Sequence, residues 1–396
     1  MPTALTTVEN TDSLEYLPDA DLLRAYWVYS FVSQPWLVAM GSKIGGWSVE
    51  HLWPARWAVS KTIFAQFCGG ESVEKCAATM QHLAASHIHT ILDYSVEGAA
   101  TEAVFTATEQ EIAGTIRAAA VSPSVAFSVF KVSGLGRSEV LTELSASGNY
   151  TKLSAEAKRI VERVNNLCHL AHQLGVRIFI DAEHTYEQPF IDYLALQAMQ
   201  AYNTDRPIVF NTYQLYLKDG LERLKSHAEM VWKTGGHFGA KLVRGAYMER
   251  EADLAIADNR QSPINPSKIA TDTLYDAAAS FCLAHIDKTA FCLGTHNAAS
   301  CKKVAETMQK MGLPASDARV WFAQLLGMSD NLSYPFAAKN YNVAKYVPYG
   351  PVEAVVPYLI RRAQENTSVA GESSREYRLI ATELKRRKLN AWRFFL

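Results

Sequence analysis

Eight short runs rich in β-branched, aliphatic and aromatic residues recur along the chain, at 87–94, 125–133, 176–182, 207–213, 239–246, 289–295, 318–324 and 343–347. Between them lie longer stretches, such as 154–174, 188–202 and 217–234, whose apolar residues return every three or four positions, the period of a helix with one buried face. Near-continuous apolar strands alternating with helices imply a parallel sheet covered on its outside. An open doubly wound sheet would carry a glycine-rich strand-to-helix turn, and no G-x-G-x-x-G stands at any of these junctions. The expected fold class is therefore α/β, a closed (β/α)8 TIM-like barrel. Its active site should lie at the C-terminal ends of the strands, where Lys131, Asp181, Gln214, Arg244, His296, Gln324 and Tyr346 fall.

The first 85 residues read as helical, with breaks at Gly45-Gly46 and Gly69-Gly70, and form an N-terminal appendage. The expected organisation is a helical segment over 1–85, a barrel over 86–370 and a C-terminal helix and tail over 371–396. Within the appendage, 22–40 carries Tyr26, Trp27, Tyr29, Phe31 and Trp36, which suits either a membrane interface or a helix packed on the protein. Arg24, Ser30, Ser33, Gln34 and Pro35 interrupt it, so a spanning helix is not supported. The opening residues carry several acids and no early arginine, so no transit peptide is evident.

Lysine and arginine total 39 against 40 acidic residues, a net charge of -1, so no overall field favours nucleic acid. Any anion recognition must be local. The six cysteines show no C-x-x-C pair and no regular spacing, which argues for free thiols in a reducing compartment and against structural zinc.

Two features carry chemistry. Tyr358, Arg361, Arg362 and Glu365 follow i, i+3, i+4, i+7 on the predicted eighth barrel helix and share one face. Adjacent guanidinium groups repel unless an anion lies near them, and their planar forks suit a carboxylate; the plainer reading is a solvated basic face. At the third strand, alternation puts Asp181 and Glu183 on one side, where they could serve acid-base chemistry, a metal, or charge compensation. No ligand triad is visible, so no metal is expected, and compensation of the Arg361–Arg362 pair is the favoured role for Asp181.

Taken together, the motifs KVSGL from Lys131, DAEHTYEQP from Asp181, FNTYQLYLKD from Phe210, AKLVRGAY from Ala240, GTHN from Gly294, FAQLLGMSD from Phe322, KYVPYGP from Lys345 and YLIRRAQEN from Tyr358 resemble the proline dehydrogenase family, in its eukaryotic mitochondrial branch. They span about the last two thirds of the chain in order; the first 85 residues add little.

The resemblance implies a barrel that holds FAD non-covalently, oxidises L-proline to Δ1-pyrroline-5-carboxylate and passes electrons to a membrane quinone at the matrix face of the mitochondrial inner membrane, with peripheral membrane contact. Asp181 and Lys241 would be catalytic. Lys131, Arg361 and Arg362 would clamp the substrate carboxylate, with Tyr247, Leu325, Tyr346 and Tyr358 walling the ring. Cofactor contacts would come from Gln214, Lys241, Arg244, Gly245, Ala246, Lys268, Thr295, His296, Asn297, Gln324 and Glu365. Gly245 would let the backbone approach a flat ring. Glu97 would pair with the first arginine and gate the pocket. Bacterial relatives have Arg then Lys where Lys241 and Arg244 stand; three apart on a strand, these face opposite sides and cannot exchange roles, so Lys241 is expected near the flavin as a point charge. Relatives that prefer hydroxyproline have Ser where Tyr346 stands, so proline is the expected substrate. The alternatives are a hydroxyproline dehydrogenase and a non-catalytic barrel scaffold.

Overall fold

A computed structural model of the chain describes residues 14, 17–32, 59–95, 101–355, 358–359 and 372–390. Eight parallel strands close into a barrel in sequence order: β1 Ile88–Tyr94, β2 Val125–Phe130, β3 Arg177–Ile180, β4 Val209–Gln214, β5 Phe238–Val243, β6 Thr289–Gly294, β7 Val320–Leu325 and β8 Val343–Tyr349. β8 pairs back onto β1 from Ile88↔Val343 to Tyr94↔Tyr349, which closes the ring. The helices in chain order are α1 Asp19–Val32, α2 Ala77–Ala85, α3 Glu102–Val121, α4 Ser138–Ser147, α5 Ala155–Leu174, α6 Gln188–Tyr202, α7 Gly220–Lys233, α8 Met248–Ala257, α9 Lys268–Ala284, α10 Ala298–Lys310, α11 Asp330–Ala338 and α12 Glu372–Arg386. Residues 352–355 and 358–359 are also helical.

Local sequence sets many of the helix ends. Thr101, Ser154, Ser267 and Asn297 each cap a helix by accepting a hydrogen bond from a backbone N–H of the first turn. Gly175 ends α5 at φ 68°, the left-handed conformation that a side chain resists.

Alternation along each strand sorts residues between two cores. Ile91, Phe127, Val129, Phe179, Phe210, Cys292, Trp321, Ala323 and Ala344 pack inside the barrel. Residues of opposite parity, including Ile88, Leu92, Ile178, Ile180, Val209, Leu242, Phe291, Phe322, Val343 and Val347, pack outward against the helices. The strands are apolar on both faces for this reason, and eight of them were legible from the pattern.

Several strands end earlier or later than their apolar runs. β2 stops at Phe130 because the chain turns into a 3-10 turn at Val132–Gly134. β5 stops at Val243, since Gly245 takes φ 132° and bends the chain away.

A third apolar cluster joins α1 to α12 and to the segment after β8, with Leu22, Val28, Tyr29, Phe67, Met328, Val355, Leu359, Ile380 and Leu384 buried together. Tyr26 and Tyr377 meet through their hydroxyls at 3.1 Å. Arg387 donates to the carbonyls of Leu14 and Leu17 and pairs with Asp19 at 2.9 Å. Among the described residues no helix is long and apolar enough to cross a membrane.

Candidate active site

The C-terminal mouth of the barrel gathers a buried charged cluster. Lys241 points into the barrel from β5, because Gly239 and Val243 share its parity while Ala240 and Leu242 face the helices. Its amine donates to the Asp181 carboxylate and, at 2.7 Å, to the Tyr346 hydroxyl, which in turn donates to Asp181 at 3.2 Å. The amine also lies over the rings of Tyr346 and Phe179, at 4.8 and 5.2 Å from their centroids. Asp181 was expected to offset the Arg361–Arg362 pair. Among the described residues its ion-pair partner is Lys241, because β3 and β5 bring the two side chains together inside the ring. The two arginines, Glu365 and Glu97 lie outside the described residues. Burial pushes the Tyr346 hydroxyl well above its ordinary range and the Asp181 charge adds to this, so Tyr346 stays a neutral donor.

Lys131 follows β2, two residues beyond the inward Val129, and its amine stands 5.8 Å from the centroid of the buried Tyr358 ring. Asp93 joins this layer from β1, two residues beyond the inward Ile91. It accepts from the Ser95 hydroxyl at 2.9 Å and is buried. Burial raises its pKa; the Lys131 charge opposes this, and the Asp181 charge adds to it. Asp93 was missed in the sequence, although the period of two that placed Asp181 would have placed it as well.

Glu183 does a different job from Asp181. Its carboxylate accepts from the backbone N–H and the hydroxyl of Ser133, fastening the turn that follows Lys131. Burial pushes the Glu183 carboxyl up to about 7; the Ser133 hydrogen bonds oppose that, Glu187 adds to it and Lys131 opposes it. A folded-state pKa above the unfolded value means that the native state holds this proton more tightly. The associated stability is complete below the ordinary glutamate value of about 4.5 and is lost as pH rises through about 7. Glu183→Gln should therefore flatten the decline in stability between pH 5 and 8, a difference of about 3 kcal/mol at most. Urea midpoints across that range check it, and parallel curves for both proteins would refute it.

On the other side of the mouth, Gln214 points inward from β4 and donates to the Glu183 carbonyl at 2.7 Å. Arg244, three residues beyond Lys241, crosses outward to Asp272 at 2.7 Å, Thr295 at 2.7 Å and Ser300 at 3.1 Å, with Tyr275 beneath it. Lys241 and Arg244 thus occupy opposite faces, as their spacing required. Lys268, at the start of α9, is exposed and shares Asp272 with Arg244. These two bonds, opposing burial, hold the Asp272 carboxyl below its usual range. Asn297 caps α10, and its own N–H donates to Thr295 at 3.1 Å. His296 Nδ1 meets the Ser329 hydroxyl at 2.9 Å, and the Ser329 N–H donates to Glu376 of α12 at 3.0 Å. The C-terminal helix is thereby tied to the mouth. Gln324 has outward parity in β7: its amide donates to the Thr295 carbonyl at 3.0 Å and accepts from Ser333 at 2.8 Å, so it braces Thr295. Leu325, of the opposite parity, packs toward the interior.

Gly245 and Ala246 lead from β5 to Tyr247, whose ring packs on His184 at 4.1 Å. A Cβ on Gly245 would sit 1.6 Å from the buried Tyr216 ring. The Tyr216 ring by itself therefore leaves no room for a side chain at this position.

A redox group with polar edges fits this donor set. Amide, amine, guanidinium, hydroxyl and imidazole groups from β4 to β6 line one arc, while Lys131, Asp181, Tyr346 and Tyr358 face them from β2, β3, β8 and the helical segment beyond. Among the described residues no group of three or more metal-ligating side chains exists.

The family profile described as Proline dehydrogenase matches residues 76–375. The chain is 41% identical over 232 residues to "Proline dehydrogenase 1, mitochondrial" of Homo sapiens, covering 58% of this chain and 39% of that protein. It is 30% identical over 419 residues to the Arabidopsis thaliana protein of the same name, covering 94% and 84%. It is also 35% identical over 322 residues to "Carbapenem antibiotics biosynthesis protein CarD" of Pectobacterium carotovorum, covering 81% and 83%. The matches to the human, Drosophila and bovine relatives span 39%, 36% and 38% of their lengths. In fold, the chain resembles proline utilization A from Bdellovibrio bacteriovorus with a TM-score of 0.72 at 18% identity, over 93% of this chain and 40% of that one. With that match over 76–375 and the closed barrel with its charged mouth, the chain belongs to the proline dehydrogenase family.

Proposed function

We propose that the protein oxidises L-proline to Δ1-pyrroline-5-carboxylate by hydride transfer to bound FAD, with the electrons passing on to a membrane quinone. The observation that carries this reading is the buried Asp181–Lys241–Tyr346 cluster at the mouth of a barrel of this family. Bound FAD would supply the hydride acceptor. Gln214, Lys241, Arg244, Thr295, His296 and Lys268 would hold it. The amine of Lys241, held by Asp181 and roofed by aromatic rings, would be a fixed positive charge in a largely buried site. Lys131, with Arg361 and Arg362, would bind the substrate carboxylate and aim the ring. A mitochondrial location, which the names of its relatives carry, belongs to the same reading, and we place the protein at the matrix face of the inner membrane, where a membrane quinone would be reached. A peripheral membrane contact belongs to it as well.

A visible spectrum of the purified protein tests it. Flavin bands that bleach on adding L-proline support the assignment, and a colourless protein or bands indifferent to proline would refute it.

Arg361→Met and Arg362→Met should each raise the KM for proline about tenfold to a hundredfold, the effect of losing charge-assisted bonds of about 1.5–3 kcal/mol. Flavin content should survive the Arg361 change. Near-native KM in both variants would leave this helix face as a solvated basic surface.

A preference for hydroxyproline is disfavoured by the volume of Tyr346, whose ring stacks toward Phe179 at 6.5 Å while its hydroxyl is committed to Lys241 and Asp181. Tyr346→Ser should lower kcat/KM for proline and narrow its ratio to that for trans-4-hydroxyproline. Steady-state kinetics with both substrates decide the point, and an unchanged ratio would move selectivity elsewhere.

A further inference from the structure

The end of the barrel opposite the charged mouth contains a cavity of about 310 Å³, bounded by the starts of β1, β2, β3 and β7 and by the loops that lead into them. Arg177 opens β3 and shares the inward parity of Phe179. Its guanidinium lies over the rings of Phe127 and Trp321, 5.6 and 5.4 Å from their centroids. Arg206 reaches the same cavity from the loop before β4. Its approach uses the bare backbone of Gly175, where a Cβ would come within 2.8 Å of its Nη2. Stacked Phe127 and Phe179, 4.2 Å apart, help to separate this cavity from the Asp181–Lys241 cluster above.

Among the described residues no carboxylate pairs with either arginine of the cavity. Arg177 gives one hydrogen bond to the Ala318 carbonyl and Arg206 one to the Gly175 carbonyl, both at 3.4 Å, the long limit for such a bond. Each guanidinium carries five N–H donors, and among the described residues neither has an ion pair. Burial and, after it, the Arg206 charge both depress the Arg177 pKa, so the two guanidinium groups lie close enough to repel. Nearby, the buried Nδ1 of His89 has no hydrogen-bond partner, and its ring packs edge-on against Trp321 at 5.1 Å. The other side chains around it include Ala119 and Val125, which are buried, and Ala120 and Leu174, which stand at its exposed rim.

We propose that this cavity is a second ligand site, distinct from the mouth, for a small organic anion whose carboxylate or phosphate lies between Arg177 and Arg206 and whose apolar body rests on Ala119, Ala120, Val125 and Leu174. Two forked donors match an oxyanion, and the volume exceeds what a bare anion needs.

Isothermal titration of the purified, flavin-loaded protein with hexanoate and with inorganic phosphate, each at ionic strength matched with sodium chloride, tests the site. At least one probe should bind saturably. Its affinity should fall tenfold or more in both Arg177→Met and Arg206→Met and should hold in Lys131→Met, which alters the opposite end of the barrel. Arg206 is exposed, so its variant folds as the parent does, a point that circular dichroism verifies. Hexanoate binding alone identifies a carboxylate site and phosphate binding alone a phosphate site. No saturable binding of either probe, parental affinity in either arginine variant, or binding lost in Lys131→Met would overturn the proposal.

Discussion

Lys241→Met should cost the protein about 3–5 kcal/mol of stability, because it strands the Asp181 carboxylate in a buried site without its counter-ion. The two side chains are 6% and 14% exposed, so solvent screening offers little relief. On the proposed chemistry, turnover should also fall about a hundredfold or more, the usual consequence of removing a charge fixed at a reaction centre. A second substitution separates the two effects. Lys241→Met with Asp181→Leu removes both charges and should recover most of the stability while leaving activity lost, since a buried pair is often no more stabilising than well-packed apolar residues. Urea unfolding and proline turnover on all four proteins complete the cycle. If the single variant unfolds at the parental midpoint, the pair is not holding the mouth together.

Gly245→Ala should be nearly as damaging for a different reason. The new methyl would stand 1.6 Å from a ring carbon of Tyr216 and would impose a side chain on a residue at φ 132°. Tyr216 cannot simply swing away, being buried, with its backbone N–H donating to the Arg244 carbonyl at 2.8 Å. Overpacking and backbone strain together come to about 3–5 kcal/mol. Adding Tyr216→Ala should relieve the overpacking, leaving the strain, so the double variant should be more stable than the sum of the single changes allows. Strict additivity would show that the ring does not press on this glycine.

The barrel was legible because each strand buries both faces, so its sequence is apolar throughout and stands out from helices that are apolar on one stripe. Strand ends were less so. Gly245 lies inside the apolar run 239–246, and only its positive φ shows that the strand ends before it, while β2 stops at a turn that Glu183 fastens from fifty residues away. The order of the motifs singled out many of the residues that the structure gathers at the mouth, and alternation put Lys241 and Arg244 on opposite faces, as they stand. The pairing of Asp181 with Lys241 was not legible, since sixty residues separate them and only closure of the ring makes them neighbours. Asp93 was within reach of the same alternation, and Asp272 of i, i+4 spacing from Lys268. Ser329 and Glu376 had no such signal, because their link to His296 runs through a helix with no periodic relation to the barrel.

The union of α1 with α12 has a consequence for how the chain is made. Tyr26 leaves the ribosome 351 residues ahead of Tyr377, the residue it touches. Throughout that interval the strands and helices of the barrel can emerge and pair with near neighbours, and Phe67 and Met328 can cover part of α1, whereas the part that meets Ile380 and Leu384 stays bare. Closing so long a loop is slow, and an uncovered apolar helix invites association with other chains. The last stage of folding is therefore the docking of the two helices, and it is then that Glu376 reaches Ser329. A nascent chain stalled before residue 372 should hold a formed barrel with a sticky first helix, a natural client for chaperones.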